Sequence, residues 1–134
     1  MNRKEYFALK VMELASEFTG WDFQMEKDGN SYLVGTALSN QQGQEIFIYY
    51  LIEECCAELR VISLNNKYDY EILKKKINKI ALRYPVYAMG VGENGICIHS
   101  PMSLDILDRD MTVIIRERMV DMIQVMTELI KHCS

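Results

Sequence analysis

The fold is decided by the stretch IFIYYLI, residues 46–52, in which every side chain is β-branched, aromatic or leucine. Residues of these types are enriched in β-strands. Because the run is apolar on both of its faces, it indicates either a strand that is covered on both sides or a strand that contacts a partner. We therefore predict a central or interfacial strand here, with Ile48 and Tyr50 as candidate protein-interaction residues.

Two strands are predicted on the N-terminal side of this run. In residues 21–26, Trp, Phe and Met alternate with polar residues, as in a half-buried strand. Residues 28–30, Asp-Gly-Asn, predict a hairpin turn, and a second strand follows from residue 31 to about residue 38. The polar residues 39–43 offer little to bury and therefore predict a second hairpin.

Three further strands are predicted on the C-terminal side. In residues 58–64, Leu59 and Val61 alternate with charged residues. Two shorter runs, residues 86–91 and 96–100, are joined by Gly-Glu-Asn-Gly, and its Asn-Gly pair favours a tight turn. Short connections of this kind join antiparallel strands, so the sequence predicts an antiparallel sheet.

Apolar side chains at intervals of three and four residues predict helices at residues 2–19, 70–83 and about 110–132. The first two helices each have one apolar stripe, made of Phe7, Val11, Leu14 and Phe18 in the first and Leu73, Ile77, Ile80 and the adjoining Tyr84 in the second. The order α-β-β-β-β-α-β-β-α therefore indicates a single α+β domain, residues 1–134, with helices packed on an antiparallel sheet.

The last predicted helix has more apolar residues than one core-facing stripe requires. One broad face, about 160° wide on a helical projection, contains Met111, Ile115, Met119, Met122, Met126 and Leu129, flanked by further aliphatic residues. Such a face lies deep in the domain core, contacts a partner, or does both. Methionine side chains repack against varied surfaces, so Met119, Met122 and Met126 are the candidate interaction residues of this helix.

Composition narrows the function classes. The chain of 134 residues has 15 basic and 19 acidic residues and a net charge of -4, so it has no overall field that attracts nucleic acid. Residues 1–5 are polar and charged, which predicts no secretory signal. No apolar run approaches the roughly 20 residues of a membrane span. We therefore expect a cytoplasmic protein with no nucleic-acid or membrane partner.

Chemical motifs are few. Neither a Cys-x-x-Cys nor a His-Glu-x-x-His spacing occurs, so we expect no metal and no cofactor. Cys97 and His99 lie two residues apart on a predicted strand and project from the same face, which is the minimum for a thiol beside a base. No third orienting group is evident, and side chains at that spacing do not reach each other without distortion.

The order of elements resembles the bacterial YbjN family of sensory-transduction regulators, which share a type III secretion chaperone-like fold. The resemblance rests on the opening helix, the strand meander of residues 21–64, the helix from Tyr70, the hairpin of residues 84–98 and the long closing helix. It implies a non-enzymatic protein-binding or regulatory domain that is chaperone-like, homodimeric and without catalytic residues. We therefore expect a domain that binds a protein segment through a hydrophobic groove or a sheet edge. The alternative is a small cysteine-dependent enzyme that uses Cys97 and His99.

Overall fold

A computed structural model of the chain describes residues 2–18, 20–39, 45–63, 70–92 and 95–132. The elements follow the predicted order: α1 (Arg3–Phe18), β1 (Gln24–Asp28), β2 (Ser31–Ser39), β3 (Glu45–Ile52), β4 (Cys56–Ser63), α2 (Tyr70–Arg83), β5 (Ala88–Gly92), β6 (Gly95–Ser103) and α3 (Asp108–His132). The predicted α+β class is confirmed.

The strands form one six-stranded antiparallel sheet in the order β1-β2-β3-β4-β6-β5. The run at residues 46–52 lies in β3, which pairs with β2 on one side and β4 on the other, so its prediction as a central strand is confirmed. A two-residue turn joins β1 and β2, with Gly29 at a φ of 61°, a left-handed conformation that glycine adopts without strain.

The core lies on one face of the sheet. Phe7, Val11 and Leu14 of α1 are buried, and α1 packs on β1, β2 and β3. Leu73, Ile77 and Ile80 of α2 are also buried, and α2 packs beside β5. Buried side chains from all three helices and from alternate strand positions form one continuous cluster, so the domain has two layers.

The part of the broad apolar face of α3 whose side chains the structure describes belongs to this core. Met111, Ile115, Met119, Met122 and Val125 are all no more than 4% exposed. Of the two interpretations that the sequence leaves open, the structure supports a helix lying deep in its own domain. The helix has a wide apolar face because it packs against both the sheet and α1.

Several predicted boundaries are wrong. The first strand begins at Gln24 instead of residue 21, and Met25 is 38% exposed because β1 is an edge strand. Strand β6 continues to Ser103, beyond its predicted end at Ser100, so it includes Pro101. Proline has no backbone N–H group to donate to a neighbouring strand. It is tolerated at residue 101 because the pairing with β5 stops at His99, so no strand lies opposite on that side.

Other boundaries shift in the same way. Strand β4 begins at Cys56 instead of residue 58, and α3 begins at Asp108 instead of residue 110. Ser39 is the last residue of β2. The rest of the hairpin predicted at residues 39–43, the tip of the turn at residues 93–94 and the side chain of Phe18 lie outside the described residues.

Candidate functional site

The face of the sheet opposite the helices is the candidate site. Strand side chains alternate between the two faces, and those that point away from the helices are absent from the core cluster. We call this surface the open face; its residues are Gln24, Glu26, Leu33, Gly35, Ala37, Phe47, Tyr49, Leu51, Glu58, Arg60, Ile62, Ala88, Gly90, Cys97, His99 and Pro101. No helix among the described residues covers it.

Strand β3 supplies the largest apolar side chains of the open face. Phe47, Tyr49 and Leu51 alternate with the fully buried positions of the strand and are half-buried themselves. Leu33 of β2 pairs with Leu51, and Ile62 of β4 pairs with Phe47, so the apolar surface continues across three neighbouring strands. Apolar surface of this continuity is typical of interaction sites.

A groove runs over β2 on the open face. The β2 residues that point outward are Leu33, Gly35 and Ala37, and the last two have almost no side chain. The surface over β2 therefore forms a depression between the longer side chains of β1 and β3. The groove has a volume of about 450 Å³. Asp22 and Glu26 line its β1 side, and Phe47 and Tyr49 line its β3 side.

Gly35 forms the lowest point of the groove because β2 and β3 approach each other closely there. A Cβ atom on Gly35 would lie 2.3 Å from Cβ of Tyr49 and 2.4 Å from the carbonyl oxygen of Ile48. Both distances are far below van der Waals contact, and one of the two atoms belongs to the backbone. The strand pairing therefore requires glycine at this position.

We expect Gly35→Ala to lower the free energy of unfolding by about 1–3 kcal/mol, the usual cost of overpacking. The matched control is Gly90→Ala on β5, where an added Cβ meets nothing within 4 Å. Urea denaturation of the two variants and the wild type measures the difference. Equal stability of the two variants would contradict the close approach of β2 to β3.

A row of polar side chains crosses the middle of the open face. Arg60 Nη2 donates to Glu58 Oε2 at 3.1 Å, and hydrogen bonds to Tyr49 and then Glu58 raise the pKa of Arg60 above its ordinary value. Nδ1 of His99 lies 2.9 Å from Oε1 of Glu58, close enough for an ion pair, although the direction of the ring N–H does not meet hydrogen-bond geometry. Glu58 therefore holds two potential cations in place.

The predicted pair of Cys97 and His99 shares the open face, as the sequence indicates. Cys97 is exposed, and its strand neighbours are Ile62 and Gly90, neither of which is a base or a hydrogen-bond donor from its side chain. The charged neighbour of His99 is Glu58. Among the described residues, no three metal-ligating side chains come together.

The predicted interaction residues lie on the other side of the sheet. Ile48 and Tyr50 are 2% and 1% exposed, and Met119 and Met122 are 4% and 1% exposed, so all four are core residues in this chain. Because strand side chains alternate, the surface of β3 consists of the neighbours of Ile48 and Tyr50. The side chain of Met126 lies outside the described residues.

Tyr50 is unusual among these core residues. Its ring packs edge-on against Phe7, with 5.5 Å between the ring centroids. Burial raises the pKa of its hydroxyl group, which has no hydrogen-bond partner among the described residues. An unpaired buried hydroxyl group lowers the stability of the folded state. Tyr50 is therefore a packing residue of the core, with no exposed surface for a partner to contact.

The sequence analysis did not select Phe47, Tyr49, Gly35 or the acidic side of the groove. One feature of the sequence did indicate this surface: residues 46–52 are apolar on both faces. In a two-layer domain, helices cover only one face of the sheet, so one of these apolar faces stays uncovered. The only sequence feature that could have indicated the groove over β2 is the pair of small residues at positions 35 and 37.

Comparisons with family models, with curated proteins and with solved structures found no match in any of the three. Within the part of the chain that the structure describes, no helix combines the length and apolar composition of a membrane span.

Proposed function

We propose that this chain is a non-enzymatic protein-binding domain, chaperone-like in that it holds an extended segment of another protein in the groove over β2. The observation that carries the proposal is the uncovered apolar surface of Phe47, Tyr49 and Leu51 on a strand whose other face is core. In keeping with the resemblance to the YbjN family, we place the protein in the cytoplasm and assign it a regulatory role.

The shape of the groove favours an extended chain. Its walls belong to β1 and β3, which lie two strand spacings apart, or about 10 Å, and this width accepts one peptide backbone with its side chains. Its floor, from Leu33 to Ala37, is about 17 Å long at about 3.4 Å per residue. A segment of five to six extended residues at about that rise therefore fills it.

The edge of the sheet adds a second feature. Strand β1 is the outermost strand, and all five of its residues are exposed. An edge strand presents unpaired backbone groups that accept a further strand. The outer edge of β1 is therefore a second place, beside the groove, where an extended segment can pair with the sheet.

A groove-filling variant tests the proposal. Random peptides about nine residues long, which extend beyond both ends of the groove at about 3.4 Å per residue, are displayed on phage and selected on the wild-type protein. We expect the selected peptides to bind Ala37→Trp at least about tenfold more weakly, or about 1.4 kcal/mol, because an indole ring occupies the groove. Ala37 is exposed, so circular dichroism should show a folded variant.

The matched control is Ala88→Trp, at an exposed open-face position of β5, four strands from β2. Peptides that bind both tryptophan variants equally, or a selection that enriches no peptide, would contradict the groove proposal. Light scattering distinguishes a second copy of this chain as the occupant. A wild-type homodimer that dissociates in Ala37→Trp would assign the open face to self-association instead.

A further inference from the structure

The two walls of the groove have opposite chemistry. On the β1 side the ionisable side chains are Asp22 and Glu26, and both are exposed. On the β3 side the walls are the aromatic rings of Phe47 and Tyr49. Among the described lining residues there is no lysine, arginine or histidine, so one wall attracts cations and the other offers apolar contact.

The neighbouring basic side chains do not neutralise the acidic wall. Lys27 alternates with Glu26 on β1, so it projects to the helix side of the sheet, where its Nζ atom lies 5.9 Å from the centre of the Tyr32 ring. Arg60 lies beyond Tyr49 and is already hydrogen bonded to Glu58. The groove therefore keeps a net negative side.

The three polar side chains on the β1 side of the groove follow the two-residue repeat of an extended chain. Asp22, Gln24 and Glu26 occupy alternate positions, and Gln24 donates from Nε2 to Oδ2 of Asp22 at 3.1 Å, which places both side chains on the groove side. Alternate residues of an extended chain are about 7 Å apart. Asp22 and Glu26, four residues apart, therefore lie about 14 Å apart in an extended backbone, which is two of these repeats.

We propose that the groove selects a protein segment in which basic and apolar residues alternate. This inference rests on the proposed function, and it names the chemistry of the partner. An extended segment over Gly35 directs successive side chains to opposite sides. Of lysine or arginine residues at every second position, two that are four residues apart face Asp22 and Glu26, and the one between them faces Gln24. The intervening apolar side chains contact Phe47 and Tyr49.

Three synthetic peptides, each about nine residues long, test the alternation and the charge. One alternates lysine with valine, one replaces every lysine with glutamate, and one has the first composition arranged in two blocks. We expect the wild type to bind the lysine–valine peptide about tenfold more tightly than the glutamate peptide at about 50 mM salt, because Asp22 and Glu26 attract lysine and repel glutamate. The preference should shrink at about 500 mM salt, where screening is stronger.

Charge reversal in the protein makes the test specific. In the double variant Asp22→Lys/Glu26→Lys we expect the preference to invert, so that the glutamate peptide binds more tightly. The control, Glu13→Lys/Glu117→Lys, makes the same change in net charge at exposed positions of α1 and α3. It should keep the wild-type preference. Circular dichroism checks that both double variants are folded.

Three results would overturn the inference. These are equal binding of the lysine and glutamate peptides by the wild type, equal binding of the alternating and block peptides, and an equal change of preference in the control double variant. If phage selection yields groove-dependent peptides of other composition, the partner chemistry is wrong and the proposed function stands. If it yields no groove-dependent peptide, the proposed function itself fails.

Discussion

Met119→Glu is expected to unfold the protein. Met119 is 4% exposed and lies in the core between α3 and the sheet, beside Trp21 and Ile48. A carboxylate at this position loses most of its hydration, and burying such a group costs several kcal/mol even when it is forced to become neutral. That cost is comparable to the whole stability of a domain of this size, about 5–15 kcal/mol.

Far-UV circular dichroism and a thermal scan measure the effect. The matched control is Val120→Glu, the same substituent at the next residue of α3, where the native side chain is 43% exposed. It should change the free energy of unfolding by no more than about 0.5 kcal/mol. A folded Met119→Glu protein with altered oligomeric state would show instead that this part of α3 is an interface.

The second large effect is expected for Leu14→Ala. Leu14 is 2% exposed on the face of α1 that packs against the sheet. Truncating a buried leucine removes its transfer free energy and leaves a cavity, so we expect a loss of about 2–5 kcal/mol. Ile77→Ala should have a cost in the same range, because Ile77 is 1% exposed on the sheet-facing side of α2.

Leu82→Ala is the control for both helix variants, since Leu82 on α2 is 84% exposed. Chemical denaturation should give it a cost below about 0.5 kcal/mol, because little burial is lost and both residues form helices well. A cost that small at Leu14 and Ile77 as well would refute the assignment of the inner faces of the helices.

Both predictions depend on which apolar surfaces the domain buries in its core. The domain contains more apolar residues on β3 and α3 than one would assign to a single layer of core. The structure uses α3 to cover one face of β3 and leaves the other face, with Phe47 and Tyr49, in the open face. The uncovered apolar surface that favours a binding function is therefore centred on β3 and extends to Leu33 of β2 and Ile62 of β4.

The sequence by itself determined the elements and their class. The intervals of the apolar residues in α1 and α2 follow the helical repeat, and the buried residues Leu14 and Ile77 are among those it selected. The run at residues 46–52 predicted a central strand, which is β3. These features are local, because the backbone repeat of a helix or a strand directly determines which side chains share a face.

Only the tertiary structure decided which face is core. The run at residues 46–52 is apolar at every position, so its sequence makes no distinction between Ile48, which is buried, and Phe47, which is on the open face. That choice depends on which side of the sheet the helices pack, and residues far away in the chain determine it. The groove has the same origin, because it needs β2 to lie between β1 and β3 with Gly35 against Tyr49. Long-range pairing brings these residues together, and no local repeat encodes it.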